Sequence, residues 1–187
     1  MTDSKASVDP FPNKIVKGMA ATWMLLGVLP FFFPMFGRSF LPSIKWITEV
    51  DGFGIAAGLG SGALSFWLMV RRYDSIKGNE FKKFIVVVFA PMLGFVFGRN
   101  VIVVVAPMIL ALLLGNQTEL QFIVASSNDS GTKGCRSPLV LKELPFLFDR
   151  LCGIPNETRG KYMPGDYVFV SGRGTNLGLF PASLTRQ

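Results

Sequence analysis

The sequence predicts an α-helical membrane protein with three transmembrane helices and a small C-terminal β-rich extracytoplasmic domain. Three observations lead there. Apolar residues make up 50% of the 187-residue chain and charged residues only 17%, whereas soluble domains carry about a quarter charged residues. Three apolar runs, 18–36, 53–70 and 84–115, are each close to or longer than the roughly 20 residues with which a helix crosses a bilayer core. After Gly115 the chain changes character. It becomes polar, holds both cysteines, and alternates apolar with polar residues as half-buried strands do.

Residues 1–17 are polar, contain Pro10 and Pro12, and read as a cytoplasmic tail. Lys14 and Lys17 then precede the first run. A basic start before an apolar run also describes a signal peptide. This run is too long and too aromatic for one, and Gly37-Arg38-Ser39 is a poor cleavage site. A retained helix is expected, kinked or ended by Pro30 and Pro34, which neighbouring helices make tolerable. Residues 38–52 read as a short loop in which Trp46 suits a membrane interface.

In the second run Gly54, Gly58 and Gly62 recur every fourth residue. On a helix they form one smooth stripe that lets another backbone come close. Either a helix of the same chain or the same stripe of a second copy, in a homo-oligomer, can take that place. Residues 71–83 (RRYDSIKGNEFKK) are the most basic short loop. By the positive-inside rule that loop and the N-terminus are cytoplasmic, which puts 38–52 and everything after Gly115 outside. Such a loop also attracts anionic membrane lipid.

The run 84–115 is interrupted only by Arg99 and Asn100. As one straight helix it would be about 48 Å long, more than the hydrocarbon core of about 30 Å. A tilted or proline-kinked helix is the expected solution. The echo of IVVVFAPM in VIVVVAPM also allows a hairpin turning at Arg99, but each arm would be too short to span. A third arrangement places Arg99 near the midplane, where an arginine marks a candidate functional site. No acidic residue lies within the other two runs to pair with it.

Residues 116–187 form the β-rich domain. ELQFIVA (119–125) alternates with Leu120, Phe122 and Val124 on one face, YVFVS (167–171) is the clearest strand, and 139–141 and 177–180 are shorter ones. SSNDSGTKG (126–134), MPGD (163–166) and Gly172-Arg173-Gly174 read as loop and turns. Short strands with glycine turns suggest a small barrel or sandwich. Cys135 and Cys152 are the only cysteines, and outside the cytoplasm two cysteines read as one disulfide. Two free buried thiols are the alternative.

Several function classes are disfavoured. The net charge of +7 comes from basic residues spread along the chain and beside its apolar runs, where they set topology, so no nucleic-acid partner is expected. Histidine is absent, which removes His-dependent triads and most zinc sites. Glu143, Asp149, Glu157 and Asp166 lack a spacing that pairs acid with base, and no S-x-x-K or nucleophile-elbow motif occurs. Gly172-Arg173-Gly174-Thr175 lacks the strand-to-helix context of a phosphate cradle. No catalytic residue, metal or cofactor is expected. Three Asn-x-Ser/Thr triplets, at Asn116, Asn128 and Asn156, have meaning only in a glycosylating cell.

The segments CRSP from Cys135, LPFLFDRLCG from Leu144 and PGDYVFVSGRGTNLGLF from Pro164 resemble small bacterial inner-membrane proteins with a periplasmic C-terminal domain. The resemblance covers about the last third of the chain. It implies a multi-pass protein of the bacterial inner membrane and a fold style, with no activity and no site. The expectation is a non-enzymatic protein whose periplasmic domain binds a protein partner, as an immunity or envelope accessory factor would. A small channel or transporter component using Arg99 and the glycine stripe is the second reading.

Overall fold

The computed structural model describes residues 14–32, 39–73, 79–129, 135, 138–145 and 148–186. The tail 1–13, Pro34 with the end of the first run, and most of the loop 126–134 lie outside them. The first helix, α1 (Lys14–Val28), continues into a 3₁₀ turn at Leu29–Phe31. Pro30 tightens it there, because proline cannot donate into the α ladder.

The second helix, α2 (Ile44–Arg71), starts nine residues before the expected 53. The reason is physical. Hydropathy tracks insertion into lipid, while the first turns of α2 are amphipathic and still helical. Lys45 and Glu49 pair across one turn at 3.8 Å, and Ile44, Ile47 and Val50 pack into the β domain. The expected loop 38–52 is therefore helix from Ile44 onward. Asn79 then caps α3 (Glu80–Asn100), its side chain accepting from the Lys82 amide.

The run 84–115 is one helix and not a hairpin. α3 passes through a π-helical turn at Val101–Val105 into α4 (Ala106–Leu114), the Ala106 amide reaching back to the Val101 carbonyl. Pro107 follows at once. It has no N–H and crowds the carbonyl one turn before it, and a π turn is one way a helix absorbs such a misfit. α2 and the helix Glu80–Leu114 are long and apolar enough to cross a membrane, while α1 with its 3₁₀ turn is a shorter apolar helix.

The β domain is a curled antiparallel sheet of six strands: β1 (Leu41–Pro42), β2 (Asn116–Ser126), β3 (Leu139–Leu141), β4 (Arg150–Leu151), β5 (Tyr167–Thr175) and β6 (Gly178–Arg186), in the order β1-β6-β5-β2-β3-β4. Leu41 from one edge and Leu151 from the other share a core with Phe122, Val124, Val168 and Val170. The domain is thus not confined to 116–187, because the segment before α2 supplies its edge strand. A four-residue helix, α5 (Asn156–Arg159), lies between β4 and β5. MPGD is a turn, with Gly165 at φ 97° and the Asp166 amide bonded to the Met163 carbonyl. Gly172-Arg173-Gly174, by contrast, is not a turn. It continues β5, and the hairpin closes at Asn176 and Leu177.

A second core joins helix to sheet. Phe40, Val103, Val104, Met108, Ala111 and Phe148 are buried together. β1 feeds the start of α2 and β2 leaves the end of α4. The sheet therefore stands at one end of the helix pair, and the basic segment around Arg71 and Lys83 at the other.

Candidate functional site

The glycine stripe faces α3 of the same chain. A Cβ on Gly58 would lie 2.8 Å from the Phe95 ring, and one on Gly62 would lie 2.9 Å from the Pro91 carbonyl. α3 answers with Gly94 and Gly98, which sit against Ser65 and Ser61. The Trp23 indole of α1 donates to the Ser61 hydroxyl at 2.9 Å. Gly94-x-x-x-Gly98 has the same small-residue signature as the stripe on α2 and was readable from the sequence.

Arg99 has a partner. Its Nη2 donates to Asp51 Oδ1 at 2.8 Å, with both side chains partly exposed. Asp51 lies just before the second apolar run, and only the early start of α2 puts it on a helix.

Cys135 and Cys152 are disulfide-bonded. The bond ties the segment before β3 to the end of β4, and Cys152 is in the wall of a cavity. That cavity, about 640 Å³ and half open, runs between α4 and β6. Leu112 forms its helical side. Phe180 to Leu184 form its sheet side, and Leu151 to Pro155 with Thr158 close it. Gly153 at φ 81° turns the chain directly after Cys152, a conformation that costs L side chains energy.

Arg173 is the one charged residue among the described lining residues. The way the chain places it is explicit. Gly115 ends α4 against Gly174, so close that a Cβ on Gly115 would sit 3.2 Å from the Gly174 Cα. Pairing of β2 with β5 then sets Gln117 opposite Arg173, and Arg173 Nε donates to the Gly115 carbonyl at 3.2 Å. In β5 the buried positions are Val168, Val170, Gly172 and Gly174. The same alternation leaves Arg173 exposed, and it could have been read from the sequence had the glycines not looked like a turn.

The carboxylates stay apart. Asp166 caps its own turn by accepting from the Met163 amide, and Asp149 lies 3.9 Å from Arg150. Among the described residues no three of His, Cys, Asp and Glu approach closely enough to hold a metal ion. Comparison of the chain with family models, with curated proteins and with solved structures finds no match.

Proposed function

We propose that the chain is a non-enzymatic, multi-pass protein of a bacterial inner membrane, whose β domain stands on the periplasmic side and binds a partner as an envelope accessory factor. The observation that carries this reading is the half-open cavity at the junction of α4 and the sheet, with a disulfide in its wall and one arginine on its surface. Binding sites are concave and combine apolar walls with polar groups that orient the ligand.

The orientation rests on three supports. The disulfide suits an oxidising compartment. Arg71, Arg72, Lys82 and Lys83 cluster at the end of the helix pair away from the sheet, as the positive-inside rule asks. Residues 52–70 and 84–98 carry no charge, and the stretch from Asp51 to Arg71 is about 30 Å on a helix, the thickness of the hydrocarbon core. On this reading the Asp51–Arg99 pair marks the outer border of the membrane. The glycine stripe that the channel reading would use packs α2 against α3 of the same chain.

A membrane-impermeant maleimide applied to intact cells tests the reading. Labelling of Cys135 and Cys152 only after reduction is expected. Labelling that appears only once the cells are permeabilised would put the β domain in the cytoplasm and overturn it.

A further inference from the structure

We propose that the cavity between α4 and β6 binds an anionic phospholipid lifted from the outer leaflet, with an acyl chain along Leu112, Ile154 and Leu184 and the phosphate on Arg173. This deepens the binding reading above and rests on its placement of the helices in a membrane.

Four observations select that occupant. The cavity is lined by apolar side chains, Leu112, Ile154 and Leu184 among them, and by the polar Ser39, Thr158 and Ser183, and it carries one cation with no carboxylate among its described lining residues, so its charge is complementary to an anion. Arg173 spends Nε on the Gly115 carbonyl, which fixes the planar guanidinium beside the end of α4 and leaves its Nη nitrogens to an acceptor with several oxygens such as phosphate. A peptide strand is a poor fit, because β6 beside the cavity carries Pro181, which has no N–H, and is bent by the bulge at Ala182 in its pairing with β5. Finally, α4 offers an apolar approach. Ile109 and Leu112 are exposed by 38% and 48% and lie one helical turn apart on one face.

Leu112 follows Arg99 by about 20 Å of helix. A chain seated there has left the hydrocarbon core, so the site holds a lipid in transit rather than one of the annulus. The exposed Ile109 then serves as the step between bilayer and cavity.

The test uses the full chain in vesicles of phosphatidylcholine containing a minor fraction of phosphatidylglycerol that bears a diazirine on one acyl chain. Adducts are mapped by mass spectrometry at Ile154 and Leu184, and at Phe66, which is exposed on α2 within its uncharged stretch. Adducts at the two cavity residues are expected. They should fall about fivefold in Arg173→Gln, the effect of one basic contact with anionic lipid, and should also fall in Ala182→Trp, which fills the cavity from an exposed position and keeps Arg173. Phe66 adducts should hold in both. Cavity labelling that is absent, equal with a phosphatidylcholine probe, or unchanged in both variants overturns the lipid site while Phe66 labelling leaves the membrane reading standing. Loss of Phe66 adducts in the unaltered protein overturns both. A protein adduct at Leu184 when a photoreactive residue is placed there in cells also overturns the lipid site, in favour of a peptide.

Discussion

Arg99 of α3 and Asp51 of α2 are joined at 2.8 Å, and the pair sits beside Gly54, where a Cβ would lie 3.4 Å from the Arg99 Cγ. The ion pair therefore crosses the seam at the point where the glycine stripe begins. It adds a polar contact to a seam that Gly58, Gly62, Gly94 and Gly98 otherwise hold by close packing.

Removing either partner should cost little more than a surface pair, because both side chains are partly exposed. Asp51→Ala and Arg99→Leu should each lower stability by about 1 kcal/mol. The double variant should recover part of that loss, with a coupling of about 1 kcal/mol in thermal unfolding in detergent. Additive losses would mean that the two charges act independently and that the pair does not fix the seam.

Gly58 and Gly60 lie on the same helix and separate packing from propensity. A Cβ at Gly58 meets the Phe95 ring and carbonyl, while at Gly60 it meets nothing within 4 Å. Gly58→Ala should destabilise by about 1–3 kcal/mol through overpacking. Gly60→Ala should be neutral or stabilise by up to about 1 kcal/mol. Denaturant midpoints of the two variants check this, and equal losses would contradict the packed seam.

Opening the disulfide should weaken the β domain without touching the helices. Cys135 and Cys152 are 17 residues apart, and a loop of that size is worth about 3 kcal/mol in the entropic account. The expected readout is a lower unfolding temperature of the sheet signal in Cys135→Ser with Cys152→Ser, and the same shift on adding reductant to the unaltered protein. A reductant effect that persists in the double variant would point to a cause other than this bond.

The helices and most strands were legible because hydropathy and period-2 alternation are local properties. Three features were not. The first turns of α2 are polar enough to look like a loop, and only tertiary burial of Ile47 and Val50 reveals the helix. β1 is two residues long and exists because Leu41 pairs with Leu179, far along the chain. Gly172 and Gly174 look like turn residues, yet each is small because another backbone comes close. A Cβ on Gly172 would meet the Phe180 carbonyl, and one on Gly174 the Gly178 carbonyl. The cavity had no sequence signature, since its walls come from α4, the disulfide loop and β6, which only the fold brings together.

Gly115 and Gly153 both border the cavity region, and the physical reason for glycine differs between them. Gly115 has φ −68°, which any residue adopts, but its Cβ would strike the Ala111 carbonyl and press on Gly174. Gly153 has open space for a Cβ and φ 81°. Asparagine, which tolerates the left-handed region, distinguishes them. Gly153→Ala should cost about 1–2 kcal/mol, and Gly153→Asn should regain much of it. Gly115→Ala should cost about 1–3 kcal/mol through the clash at the helix–strand junction, and Gly115→Asn should be no better, because a larger side chain cannot relieve a steric conflict. Unfolding midpoints of the four variants read this directly. Rescue by asparagine at Gly115 would mean that the junction is held by backbone conformation, and that the close approach of α4 to β5, which positions Arg173, is not what requires the glycine.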